Sequence, residues 1–196
     1  MSGEGLFDEA PGATPVSPEE REGLIPSHIA LRHELNEFEQ QNILKAATWA
    51  FARKHDPIAE SFGRSLHRRM FDNTWRWAGE YRRSDKNIGV DWAKIHVRLA
   101  EELNNFRYWT DNKTFSPAEI GVRFHHALVL IHPFPNGNGR WSRMMADVLM
   151  AKMEQPCLTW GGSLLVDADG VRARYMDALH AADTHDIAPL VAFAQS

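Results

Sequence analysis

Cysteine is nearly absent from this sequence: Cys157 stands alone, which excludes an internal disulfide framework and fits a reducing compartment. Long apolar runs are missing too. A stretch such as Ala127–Ile131 is far short of the roughly 20 residues that a membrane span requires. The opening residues, MSGEGLFDEA, hold neither a basic n-region nor an apolar h-region, so no signal peptide is visible and a cytoplasmic protein is expected. Positive charge is not in excess: 22 Lys and Arg against 26 Asp and Glu give a net charge of −4, which argues against a general nucleic-acid binder. No block recurs at a period of 20–50 residues, so a solenoid is not expected. What is present is a chain of 196 residues, 43% hydrophobic and 24% charged. A chain of that length and composition buries a full core, roughly 70% of its surface, without a metal or disulfide staple.

Residues 1–26 read as an extended or mobile acidic, proline-rich leader, with Pro11, Pro15, Pro18 and Pro26. Residues 27–196 form the domain, and its pattern is mostly α. Leu35, Phe38, Ile43, Ala46, Ala47, Ala50 and Phe51 recur at steps of three and four, predicting a helix from Glu34 to near Lys54. A second helix is expected over Ile58–Phe71. The segment 75–90, WRWAGEYRRSDKNIGV, breaks the helical period and reads as a loop or short β-hairpin. A third helix is expected at about Trp92–Trp109. Ser116, Pro117 and Glu119 then spell a helix start, and that helix runs to about Ile131. Another follows at 139–153, then an irregular stretch or hairpin at Gly161–Asp169, and short helices at 170–182 and 186–195.

The segment that carries chemistry is Ile131-His-Pro-Phe-Pro-Asn-Gly-Asn-Gly-Arg-Trp-Ser-Arg143. An apolar helix ends, a histidine stands at its exit, and a loop of two prolines and two glycines leads into a new helix. The first N–H groups of that helix lack intrahelical partners, and its dipole favours negative charge there. Gly137 and Gly139 allow close approach of the backbone to a ligand. Asn138 adds an amide donor. Arg140 and Arg143 are three apart, share a helix face and can grip one anion. The whole describes a phosphate cradle with His132 at its lip. A histidine accepts protons at neutral pH, so it suits transfer of a phosphoryl or nucleotidyl group to a hydroxyl. His125 and His126 with His132 do not have a standard zinc spacing. Trp141 reads either as a surface residue or as an edge of the nucleotide pocket. Arg82 and Arg83 read as a solvated charge pair close to a docking surface.

This stretch resembles the signature of Fic-domain proteins, H-x-F-x-D/E-G-N-G-R-x-x-R, and departs from it only at Asn136, where the pattern has an acid. GLIPSHIALRHELNEFEQQNI, RRMFDNTWRWAGEYRRSDKNIGV, EIGVRFHHALVLIHPFPNGNGR and YMDALHAADTHDIAPLVAFAQS extend the resemblance, which is to the branch called mobile mystery protein B, from about Gly23 to the C-terminus. The resemblance implies a single Fic-type helical domain with a short β-hairpin flap. It implies a protein nucleotidylyltransferase (an adenylyltransferase, or AMPylase) that moves AMP from ATP to a Ser, Thr or Tyr hydroxyl of a target. Under it, His132 deprotonates that hydroxyl and Phe134 anchors the loop. Gly137, Asn138 and Gly139 hold the α- and β-phosphates, Arg140 the β/γ-phosphates, and Arg143 sits near the γ-phosphate. Asn136 occupies the place of the Mg²⁺-holding acid. Residues 79–90 correspond to the flap on which an extended target segment lies by β-augmentation, with Lys86, Asn87 and Ile88 facing the reacting hydroxyl. Tyr175 falls where the base of the nucleotide would lie. The branch is also associated with a helix-turn-helix partner, mobile mystery protein A, in an arrangement like that of a toxin and its antitoxin.

Asn136 leaves alternatives open. A neutral carbonyl is a poorer Mg²⁺ ligand than a carboxylate. The chain is then an enzyme whose Mg²⁺ is held mainly by the nucleotide, an enzyme with another donor, or a nucleotide-binding regulatory or partner-binding module with weak or lost catalysis. Gly139 speaks against a kinase-like reading, since relatives that reverse the nucleotide carry Lys there. The inhibitory pattern S/T-x-x-x-E-G/N of many Fic proteins is not met: Ser17-Pro-Glu-Glu-Arg-Glu22-Gly23 is one residue too long, and Glu34, Glu37 and Glu39 lie on a helix without that context.

Overall fold

The computed structural model describes residues 6–7, 14–52, 55–163 and 168–196. Its helices are α1 (Pro18–Arg21), α2 (Arg32–Ala52), α3 (Glu60–Phe71), α4 (Ile95–Asn112, entered through a 3₁₀ turn at Trp92–Lys94), α5 (Pro117–Ile131), α6 (Asn138–Lys152), α7 (Ala168–Asp183) and α8 (Ala188–Ala194). No helix among the described residues is long and apolar enough to cross a membrane. The expected helices are present with their ends moved by a few residues. Residues 53–54, 1–5, 8–13 and 164–167, on which parts of the first helix, the leader and the 161–169 stretch were read, lie outside the described residues.

An antiparallel pair, α5 and α6, forms the centre. Ser116 caps α5 by accepting from the Glu119 N–H at 3.3 Å, with Pro117 at the first position. Both solve the same problem of unpaired N–H groups. Ile120, Phe124, Leu128 and Ile131 then bury one face in the main core, with α4 packed alongside. Val122 serves a second, smaller core with Ala146, Met150, Leu158, Leu179, Leu190 and Phe193. Truncating a fully buried phenylalanine such as Phe124 costs about 3–5 kcal/mol. Trp141, on α6, belongs to neither of its two sequence readings. It is buried in the main core, and its indole N–H donates to the Gly63 carbonyl at 2.9 Å. Gly63 lets α3 come that close: a Cβ there would sit 3.1 Å from the Trp141 ring.

The expected β-hairpin at 79–90 is not formed; no strand occurs among the described residues, only an isolated antiparallel bridge between Leu24 and Trp75. The physical reason lies in where the main-chain groups of this segment go. The Arg82 N–H donates to the Pro133 carbonyl at 2.9 Å and the Val90 N–H to the Ile131 carbonyl at 3.4 Å. The Arg82 guanidinium takes the carbonyls of Ser84, at 2.8 Å, and Val90. The segment is therefore stitched to the exit of α5 and around one side chain, rather than paired with itself.

The described part of the leader is also held. Ser17 and Glu20 form a reciprocal capping box on α1, with the Glu20 N–H on the Ser17 hydroxyl at 3.3 Å and the Ser17 N–H on the Glu20 carboxylate at 2.8 Å. Val16 is buried in the main core. The Trp77 indole donates to the Glu20 carbonyl at 3.0 Å.

Candidate functional site

The site grows from the end of α5. His132 is its C-cap, with φ 52° and ψ 58°, a left-handed conformation that a non-glycine residue adopts only where its surroundings enforce it. Arg82 does so. Its side chain is buried, and its Nε donates to the His132 carbonyl at 2.7 Å. Gly89 closes on the same point with φ +109°; a Cβ there would lie 2.8 Å from the His132 Cβ and 2.7 Å from Arg82 Nη2. The imidazole is consequently 4% exposed. Burial, reinforced by the nearby Arg82 charge, lowers its pKa to about 4, against the opposing pull of the Val129 carbonyl. The ring is thus neutral at physiological pH. Its Nε2 lies 2.8 Å from the Thr14 hydroxyl, and its Nδ1 makes no hydrogen bond of normal geometry.

The loop that follows is rigid for local reasons. The Asn138 side chain accepts from the Phe134 N–H at 3.0 Å and donates to the Phe134 carbonyl at 2.8 Å. Its carboxamide therefore braces the loop, and what it offers to a phosphate is the backbone N–H. Phe134 is fully buried, stacked on His67 at 3.7 Å between ring centroids. His67 ties three elements together. Its Nδ1 accepts from the Gly79 N–H at 3.0 Å, so Nε2 carries the proton and donates to the Asn136 carbonyl at 3.1 Å. Complete burial lowers its pKa to about 3 and keeps it in that neutral tautomer. Sequence alone gives no sign of His67 or Arg82 in these roles, because each acts through a contact remote along the chain.

Gly137 caps α6 with φ +80°, and a Cβ there would strike Phe71 at 2.6 Å. The next N–H groups, of Asn138, Gly139 and Arg140, have no hydrogen-bond partner among the described residues. Above Gly139 a Cβ would meet nothing within 4 Å, so this helix start is open. Backbone donors, dipole and space for an anion coincide there. The two arginines differ. Arg140 pairs with Glu39 of α2 at 2.6 Å, and Glu39 also accepts from the Trp75 indole at 2.7 Å. Arg143 has no carboxylate within ion-pair distance among the described residues. Its Nε donates to the Gly139 carbonyl at 3.2 Å, its guanidinium lies 5.5 Å over the Tyr175 ring, and burial lowers its pKa. Tyr175 thus stands beside the second arginine, and its hydroxyl is 2.9 Å from His125 Nε2.

The residues do not supply a protein-held Mg²⁺ site. Asn136 is neutral, its Oδ1 accepts from the Gly137 N–H at 2.7 Å, and its Nδ2 donates to the Thr14 carbonyl at 3.0 Å. No cluster of three His, Cys, Asp or Glu side chains suited to a metal occurs among the described residues. Of the three flap residues, Asn87 and Ile88 are exposed. Lys86 instead turns inward, its Nζ on the Pro15 carbonyl at 3.1 Å and on the Glu20 carboxylate.

A histidine capping one helix stands one short loop away from an open, glycine-started helix carrying two arginines, an arrangement with donors and space for an anion. The fold is that of Fic domains. BepC of Bartonella tribocorum, solved with bound AMPPNP, superposes with a TM-score of 0.67 at 16% identity, over 91% of this chain and 97% of that one. Fic-1 of Caenorhabditis elegans gives 0.64 at 24% identity, over 89% and 50%. The Fic/DOC family model matches residues 57–150. Protein adenylyltransferase Fic of Aedes aegypti is 29% identical over 154 residues, 76% of this chain and 30% of that protein. These matches support the Fic family for this chain, which spans less than a third of the length of such curated relatives.

Proposed function

We propose that this protein is a Fic-type adenylyltransferase, moving AMP from ATP to a Ser, Thr or Tyr hydroxyl of a target protein. One observation carries the reading: a neutral, buried His132 has its Nε2 in contact with a hydroxyl, at the edge of a helix start whose N–H groups are open. In the proposed step the hydroxyl oxygen attacks the α-phosphorus. Its proton passes to His132 Nε2, and pyrophosphate leaves against the α6 N-terminus and Arg143, which stabilise the developing charge. Arg140 would join them on exchanging Glu39 for phosphate. A target segment would lie along 79–90. Any divalent ion would come with the triphosphate, and no step is assigned to it. That the matched relatives are named adenylyltransferases supports the choice of AMP. The mobile mystery protein B branch, a toxin-like role and a helix-turn-helix partner rest on the quoted stretches of sequence.

A second reading is a nucleotide-binding regulatory module. It is favoured by the commitment of Asn136 to Thr14 and Gly137, and by the Glu39–Arg140 pair. Incubation of the protein and a cell lysate with ATP labelled at the α-phosphate separates the two. Transfer of label to protein, absent with γ-labelled ATP and lost in His132→Ala, supports the enzyme. Tight ATP binding with no transfer favours the module.

A further inference from the structure

The space beside His132 Nε2 is already filled from within the chain. Thr14 is 6% exposed, and its Oγ1 lies 2.8 Å from that nitrogen. Its neighbours are fastened on several sides. The Asn136 side-chain amide donates to the Thr14 carbonyl at 3.0 Å, and Lys86 Nζ donates to the Pro15 carbonyl at 3.1 Å. Lys86 also pairs with the Glu20 carboxylate, and the lysine side chain is 6% exposed there. Val16 is buried in the main core, and its carbonyl accepts from Arg21 Nε at 3.0 Å. With residues 14–20 in place His132 is 4% exposed, so no hydroxyl from another molecule reaches its Nε2. The phosphate side is left clear: a Cβ on Gly139 would meet nothing within 4 Å.

We propose that residues 14–20 are a strap that closes the hydroxyl seat over His132, and that Asn136 is its clasp. A carboxylate at position 136 has only acceptor oxygens and would oppose the Thr14 carbonyl, whereas the carboxamide supplies the N–H that this carbonyl takes. The departure of the 131–143 stretch from the Fic pattern thus has a physical use. It exchanges a group suited to a cation for one that holds a backbone carbonyl. Lys86 is the second fastening. Its ammonium leaves water for the Pro15 carbonyl and the Glu20 carboxylate, and removing the carboxylate strands a nearly buried charge. Because the strap is tethered to the domain, it competes at an effective concentration on the order of millimolar, and a target segment must displace it before a target hydroxyl meets the base. The α6 helix start lies outside the strap, so nucleotide binding and acceptor entry are separate events. The restraint on transfer rests on the adenylyltransferase reading above; the closure of His132 does not.

Acylation by diethyl pyrocarbonate, mapped by peptide mass spectrometry on the full chain without nucleotide or metal, reads the closure. The reagent attacks a neutral imidazole that it can reach, and the exposed His185 is the internal reference. In wild type His132 should react at least about tenfold more slowly than His185, because it reacts only when the strap opens locally. Asn136→Asp and Glu20→Gln should each speed the reaction of His132 by roughly tenfold, the change expected on losing one hydrogen-bonded fastening. Gln at position 20 keeps an acceptor for the Ser17 N–H, so the cap of α1 survives. His125, fully buried between Trp160 and Tyr175, should stay unreactive throughout, which separates release of the strap from unfolding. Transfer from α-labelled ATP to lysate proteins should rise in Glu20→Gln by a factor similar to that for acylation. His132 as reactive as His185 in wild type, or equally protected in wild type and both variants, overturns the strap. His132 opened by Glu20→Gln with transfer left at the wild-type rate overturns the restraint and leaves the adenylyltransferase reading intact. His132 opened with no transfer from wild type or variant overturns the adenylyltransferase reading, and the strap stands on the protection.

Discussion

The two sides of this site are built in opposite ways. The phosphate side comes from one continuous stretch: Gly137 starts the helix, Asn138 braces the loop through Phe134, Gly139 leaves room, and Arg140 and Arg143 follow on the same face. The hydroxyl side is assembled from distant parts of the chain. Thr14, Arg82 and Gly89 converge on His132, and Lys86 holds the segment that carries Thr14. A local element is fixed by helix geometry and is robust to what surrounds it. A convergent one depends on many long-range contacts, and each can change without disturbing the other side. Substitutions on the two sides should therefore separate chemistry from nucleotide binding.

The sharpest break is His132→Ala. It removes the proposed proton acceptor and leaves the α6 N-terminus untouched. Transfer should fall by about 10²–10⁴-fold, the range for loss of a general base, with ATP affinity within a few-fold of wild type. Calorimetric titration with ATP beside an α-label assay measures both. Equal losses in the two would show that the sides are not independent.

Within the phosphate side, the two arginines give the next largest contrast. Arg143 is not held by a carboxylate, whereas Arg140 is already paired with Glu39. A phosphate therefore gains the full charge of Arg143 but must displace a carboxylate to reach Arg140. Arg143→Ala should weaken ATP binding by roughly tenfold or more, in the range of a charged hydrogen bond worth about 1.5–3 kcal/mol. Arg140→Ala should cost less. The reverse order would mean that Glu39 releases Arg140 without cost.

The seam between the two sides is His67, and its sensitivity is to pH. Its folded pKa, about 3, lies below the ordinary value near 6.5, so the unfolded chain binds the proton more readily. Its contribution to stability is complete above pH 6.5 and is lost as pH falls towards 3, at about 1.4 kcal/mol per unit at most. His67→Gln should flatten the fall in melting temperature between pH 6.5 and 4.5. An unchanged slope would remove His67 as the titrating seam.

This division also explains what could be read from sequence. The helices and the Ser116 start of α5 follow from local spacing, and they stand as expected. Asn138 was legible only in part: its position in the cradle follows from order along the chain, but that its carboxamide is spent on Phe134 does not. The stretch 75–90 reads as a loop or short hairpin, and the hairpin flap implied at 79–90 is not formed, because Arg82, which looks like half of a solvated pair in sequence, is a buried tie in the fold. Thr14 carries no mark at all. It lies in a proline-rich acidic leader, and only the convergence of Asn136, His132 and Lys86 on residues 14–20 distinguishes it.

The smallest expected effect tests how Glu39 acts on the phosphate side. Its carboxylate is 4% exposed and has two partners, the Trp75 indole and Arg140. Gln at this position retains an acceptor for Trp75 while removing the negative charge. If Glu39 competes with phosphate for Arg140, Glu39→Gln should tighten ATP binding by roughly threefold to tenfold, about 1 kcal/mol, an amount in keeping with a partly exposed ion pair. If the carboxylate instead orients Arg140 for phosphate, the same change should weaken binding. The salt dependence separates charge from orientation: a purely electrostatic gain shrinks as ionic strength rises, because the partly exposed guanidinium is screened, whereas a loss of orientation persists.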